Sequence, residues 1–154
     1  MKHHEIASRW AVRYSLPVSV VEALIFVESG DDPWAVRFEP TWKWYLSIDN
    51  WARRVKISLP TERACQQMSW GLMQIMGTVA RELGWTGSIP AILEPETNVM
   101  LGCRKLWELR ERWGTIERAL AAYNAGSPKS RVGQAYAKKV MARAEIVVAR
   151  GSTA

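Results

Sequence analysis

ALIFVESGDDPWAV, residues 23–36, is the stretch on which the reading of this chain turns. An apolar run leads directly into Glu28, followed by Ser29, Gly30 and two further acids. Val21, Leu24, Ile25 and Glu28 recur at steps of three and four, so they share one face of a helix. The pattern predicts a helix over 18–29, begun by Pro17 or Ser19 and ended by Gly30 and Pro33. Glu28 then sits at the C-terminal end of that helix, on its inward face. The negative end of the helix dipole repels a carboxylate there, and apolar surroundings desolvate it. Both effects favour the neutral carboxyl, the form a general acid requires. A carboxylate so placed can equally pair with a buried arginine or reach solvent at the helix end, and placement alone leaves these readings open.

Working outward, residues 3–14 carry Ile6, Trp10 and Val12 to Tyr14 at near-helical spacing, and Leu16-Pro17 breaks that helix. Residues 34–68 are the least legible part, rich in Trp and Arg, and compatible with a short helix, a hairpin or a loop that orders on binding. After them, Gly71 precedes a predicted helix running to about Leu83, closed by Gly84. Pro95 opens a long helix, with Val99, Leu101, Leu106, Trp107 and Leu109 near the helical period, and Gly114 stops it. Thr115 caps a short helix ending in ALAAYNAG, and an amphipathic helix fills 129–150. No convincing strand ladder is visible. The expected class is all-α and mainly helical, in one domain over 1–154, with room for a minor β-hairpin in the 38–68 segment.

Composition bounds the partners. The chain has 154 residues, apolar content of 48% and a formal net charge of +6, which reads as globular and suited to an anionic partner or simply to solubility. Nine Trp can build a core or stack on sugars and bases. Cys65 and Cys103 show no metal-ligand spacing and no CxxC, so they read as ordinary buried thiols. No metal or organic cofactor is expected. The first twenty residues carry recurring charges and no uninterrupted apolar stretch, so no signal peptide is expected, and no run is long enough for stable membrane insertion. Arg53, Arg54, Lys56 and Arg63 lie near Trp residues, yet no nucleic-acid-binding signature accompanies them, and no nucleic-acid partner is expected.

Two further stretches could carry chemistry. In Gly71-Leu72-Met73-Gln74, the glycine allows a close backbone approach or left-handed turn, Met73 offers an adaptable apolar contact, and Gln74 suits an amide or sugar hydroxyl. In Ala122-Tyr123-Asn124-Ala125-Gly126, the Tyr can point into a cleft and orient a neutral carboxyl, while Asn124 can cap the helix or bind substrate amides. Each alone is an ordinary helix end. In order, however, ALIFVESGDDPWAV, GLMQIMGTVARELG, PETNVMLGCRKLWEL and ALAAYNAG resemble the soluble lytic transglycosylases of the goose-type lysozyme-like superfamily, over about residues 16–142.

The resemblance implies a lysozyme-like helical domain with a long cleft for peptidoglycan glycan strands, and a monomer is expected. It implies Glu28 as catalytic residue, with Ser29, Met73, Gln74, Tyr123 and Asn124 as substrate-binding residues and the Tyr123 hydroxyl close to the catalytic carboxyl. It also implies cleavage between N-acetylmuramic acid and N-acetylglucosamine with a 1,6-anhydro product, assisted by the substrate's own N-acetyl group. The interval from Glu28 to Gly71 is longer than in typical members, and 38–68 forms an insertion in which Trp42, Trp44, Tyr45 and Trp51 could stack on sugars or pack the insertion down. If Glu39, Asp49 or Glu62 of the insertion, or Asp31 or Asp32 before it, faced Glu28 and activated a water, the enzyme would be a lysozyme-type hydrolase. A non-catalytic wall-binding or virion domain is the other alternative. The size and the expected lack of an export signal suggest a phage endolysin or virion-associated enzyme, made in the bacterial cytoplasm and acting on the wall.

Overall fold

The computed structural model describes residues 1–151. Helix α1 (His4–Arg13) packs against α2 (Val18–Ser29), which is apolar nearly all round and lies between α1 and the last helix, α8 (Arg131–Gly151). Val20, Val21, Ala23, Leu24 and Ile25 of α2 are buried. Gly30 ends the helix in the left-handed conformation, φ 66°, which glycine adopts without strain. Helix α6 (Pro95–Trp113) starts where the sequence places it, because the Glu94 carboxylate accepts from the Glu96 and Thr97 amides and Pro95 needs no partner for an N–H. It packs on α1 and on α7 (Ile116–Ala125), and α7 in turn packs on α8. The Thr115 hydroxyl accepts from the Arg118 amide and begins α7.

A small antiparallel sheet forms one wall of the helical body. Its order is β1 (Val36–Phe38), β2 (Met68–Trp70), β3 (Ile75–Met76), with Val36 opposite Trp70 and Trp70 opposite Ile75. The hairpin expected within 38–68 therefore lies elsewhere. The sheet's strands flank the insertion, whose interior is helical: α3 (Ile48–Val55) and α4 (Leu59–Gln66). Ser58 caps α4, its hydroxyl accepting from the Thr61 amide.

The helix expected from Gly71 to Leu83 is also shorter than the sequence suggested. Residues 71–74 make a tight turn joining β2 to β3, closed by the Gln74 amide donating to the Gly71 carbonyl at 3.1 Å, and only α5 (Gly77–Glu82) is helical. Gly71 has φ +70°, and a Cβ added to it would lie 2.5 Å from Asn98 Nδ2, so only glycine fits. The turn is held by one buried side chain of α6. Asn98 Oδ1 accepts from the Met73 amide at 2.8 Å, while Nδ2 donates to the Trp70 and Ile92 carbonyls at 2.8 and 2.9 Å. A tertiary clamp thus overrides a local pattern that reads as helical.

The insertion is fastened by polar groups rather than by an oily core. Arg81 donates through Nε and an amino group to both oxygens of Glu62, each at 2.9 Å, and both side chains are wholly buried. Its other amino group reaches the Trp85 and Gly87 carbonyls, and its guanidinium lies 4.3 Å from the Trp51 ring centroid. The Gln66 amide group donates to Glu62 and exchanges hydrogen bonds with the Leu46 backbone. Cys65 and Cys103 are free buried thiols; burial pushes Cys103 up to about 12.

Candidate active site

The C-terminal end of α2 opens onto a pocket of about 190 Å³ lined by Glu28, Arg37, Glu39, Trp42, Ser69, Gln74, Lys105, Tyr123 and Asn124, among others. Its walls come from α2, the sheet, α6 and the end of α7. Of the residues singled out in the sequence, it gathers Glu28, Gln74, Tyr123 and Asn124. It does not gather the other two. The Ser29 hydroxyl donates back to the Ile25 carbonyl of its own helix at 3.1 Å, and Met73 is fully buried.

Burial raises the Glu28 carboxyl above its ordinary value of 4.5, against a hydrogen bond from Tyr136 and the charges of Lys105, Arg37 and Lys139, which pull the other way. Desolvation wins although three cations stand in the surroundings, two of them, Arg37 and Lys139, on exposed side chains where water weakens their pull. Tyr136, from α8, donates its hydroxyl to Glu28 Oε1. Burial and the Glu28 charge push the Tyr136 hydroxyl upward, so it stays a donor.

Tyr123 lines the pocket with Glu28, and its one hydroxyl proton goes to the Met73 carbonyl at 2.8 Å, tying α7 to the 71–74 turn rather than bonding the carboxyl. The physical reason is reach: the turn presents an otherwise unpaired buried carbonyl beside the ring, and burial favours satisfying it. Gln74 has φ +46°, an uncommon conformation for a residue with a side chain. Its side chain is braced on three sides, accepting from the Ser69 hydroxyl at 2.9 Å and donating to the Ala35 and Gly71 carbonyls at 3.0 and 2.9 Å.

Tyr136, Lys105 and Arg37 carry no local signal in the sequence. Tyr136 stands 108 residues from Glu28, on a helix that reads as an ordinary amphipathic surface element. Of the acids considered as a second carboxylate, only Glu39 lines the pocket, with Oε1 engaged by Arg37. Glu62 is locked to Arg81, Asp31 meets His3 and the Lys2 amide, Asp32 accepts from the Trp34 amide, and Asp49 lies exposed in the first turn of α3. Of the insertion aromatics, Trp42 lines the pocket and Trp44 is exposed, whereas Trp51 packs on Arg81 and Tyr45 lies under Arg63. Among the described residues, no cluster of three or more His, Cys, Asp or Glu side chains could hold a metal ion.

A mainly helical body with a small antiparallel sheet and a polar pocket between them is a lysozyme-like architecture. The chain belongs to the transglycosylase SLT domain family, whose model matches residues 5–146. It is thus a transglycosylase-type enzyme acting on peptidoglycan. No solved structure matches it. Among the described residues, no helix is long and apolar enough to cross a membrane.

Proposed function

We propose that this protein is a lytic transglycosylase that cleaves the bond between N-acetylmuramic acid and N-acetylglucosamine, with Glu28 as acid and then base. The observation that carries the reading is a carboxyl held toward its neutral form by burial, in the lining of a polar pocket. The protonated carboxyl gives its proton to the bridging oxygen as the bond from C1 to that oxygen breaks. The muramic N-acetyl oxygen closes on C1 and carries the developing charge, so no protein nucleophile is needed. Glu28, now a carboxylate, takes the proton of the C6 hydroxyl. The C6 oxygen displaces the acyl oxygen from C1 and leaves a 1,6-anhydro end, with no water consumed. Tyr136 restrains the carboxyl, Asn124 offers donors and acceptors to sugar amides and hydroxyls, and Gln74, whose amide donors are taken by the Ala35 and Gly71 carbonyls, keeps acceptor capacity on its oxygen.

Glu39 favours a second reading, since it lines the same pocket and could activate a water. Its Oε1 is engaged by Arg37, which favours its charged form and leaves Oε2 as the oxygen such a base would use, whereas the burial of Glu28 supports the lyase. Mass spectrometry of digested sacculi separates the two. Anhydro-muropeptides are the expected product, and reducing ends would establish the hydrolase. A non-catalytic wall-binding role would yield neither. Delivery by a phage, as endolysin or virion component, belongs to the same proposal; recovery of the protein from purified virions would select the second route.

A further inference from the structure

We propose that Lys105 is a positioning residue that acts through Glu28: its ammonium steadies the carboxylate formed when Glu28 gives up its proton. The inference rests on Glu28 being the acid. Its first support is placement. Asn98, Gly102 and Lys105 follow one another on α6 at steps of four and three, and so share a face. Asn98 clamps the 71–74 turn, and a Cβ on Gly102 would lie 2.3 Å from Met73 Sδ. The contacts that hold the turn therefore also fix the register at which Lys105 enters the pocket.

The second support is what the ammonium meets there. Lys105 Nζ donates to the Tyr123 carbonyl at 3.2 Å and stands 3.8 Å from the Tyr123 ring centroid. An ammonium has three donors, and it forms no ion pair among the described residues. It is thus a positive charge built into the pocket wall without a carboxylate to neutralise it at close range. The charged and titratable groups around Lys105 and Glu28 are Arg37 and Glu39 at β1, Glu82 from α5, Tyr123 from α7, and, beside Glu28, Tyr136 and Lys139 from α8. Arg37 is exposed and paired with Glu39, and Lys139 is exposed. Lys105 is the desolvated cation of the set, so its field on Glu28 is the least screened.

Desolvation brings Lys105 down from 10.5 to about 8, with Glu28 and Glu82 opposing the fall. At neutral pH it is still charged. Its attraction to Glu28 grows as the carboxyl ionises, so the interaction is stronger after proton donation than before it, which is the condition for accelerating that step.

The test is a carboxyl-carbon NMR titration of Glu28 in the parent protein, Lys105→Met and Lys105→Arg, joined to pH profiles of peptidoglycan cleavage. In Lys105→Met the Glu28 midpoint should rise by about one pH unit, with the alkaline limb of kcat/KM moving likewise. Plateau kcat should fall about tenfold with KM little changed, and Lys105→Arg should restore the midpoint. Lys105→Gln serves if the Met variant fails to fold. An unmoved Glu28 midpoint in a folded variant overturns the proposal even if activity falls, as does a loss confined to KM. A shifted midpoint in a protein whose Glu28→Gln variant still cleaves at the parent rate would overturn the acid assignment, and with it the catalytic meaning of Lys105.

Discussion

Two places in this molecule bury a carboxylate and a cation, and they treat them oppositely. Under the insertion, Glu62 and Arg81 meet with both oxygens engaged, and the remaining donors reach backbone carbonyls. In the pocket, Glu28 and Lys105 share a desolvated space without forming an ion pair. The first arrangement satisfies its charges and fastens a structural element. The second leaves each group pushed toward its neutral form. Desolvation is common to both; pairing decides whether the charges are satisfied or left shifted, and on the proposed function the shifted site is the one that does chemistry.

The largest effect expected is on turnover. Glu28→Gln should lower cleavage of sacculi on the order of a hundred- to ten-thousand-fold. Its fold should survive, and a thermal melt checks this. The sign follows from linkage. A carboxyl raised in the folded state makes the unfolded chain release its proton first, so stability falls as pH rises from about 4.5 through the folded value. Removing that carboxyl relieves a cost at neutral pH. Arg81→Met should do the reverse, destabilising by about 3–5 kcal/mol because Glu62 is left buried and unpaired. Urea unfolding reads this. Loss of activity without loss of stability in Arg81→Met would erase the contrast between the two sites.

The two tyrosines sharpen the comparison. Tyr136→Phe should reduce kcat about tenfold and raise the Glu28 midpoint further, because the bond it removes favours the carboxylate. Tyr123→Phe leaves the buried Met73 carbonyl without its hydroxyl partner, and should cost about 1–3 kcal/mol of stability. If Tyr123→Phe instead moves the Glu28 midpoint more than Tyr136→Phe does, the roles are reversed.

The smallest effect is the pH dependence of Lys105. Its folded value lies below its unfolded one, so the native state sheds the proton first and stability rises with pH between about 8 and 10.5. Lys105→Met should be more stable than the parent at pH 7, with the gap narrowing by pH 10. Paired thermal melts measure it, and a gap that widens would contradict the desolvated ammonium.

What was legible in the sequence was whatever local chemistry determines. The starts of α6 and α7 follow from Pro95 and Thr115, and the end of α2 follows from Gly30. The 71–74 turn has the local pattern of a helix start, yet its cause is Asn98, more than twenty residues downstream, bonding the Met73 amide. The insertion resisted reading because α3 and α4 are held by Glu62, Arg81 and Gln66, polar residues that normally mark a surface. Glu28 stood out because it interrupts an apolar run. Its surroundings did not, since Tyr136 bonds it and Lys105 shares its pocket only through the packing of α8 and α6 around α2 and α7. A helix end can be read from its neighbours in the chain, whereas the surroundings of Glu28 are assembled across the whole fold.

The central claim is that burial holds the Glu28 carboxyl as an acid. A carboxyl-carbon NMR titration of the unaltered protein, with Glu28 assigned by its absence in Glu28→Gln, tests it most directly. The midpoint should lie above 4.5. A midpoint at or below that value would show a carboxylate at working pH and contradict the account.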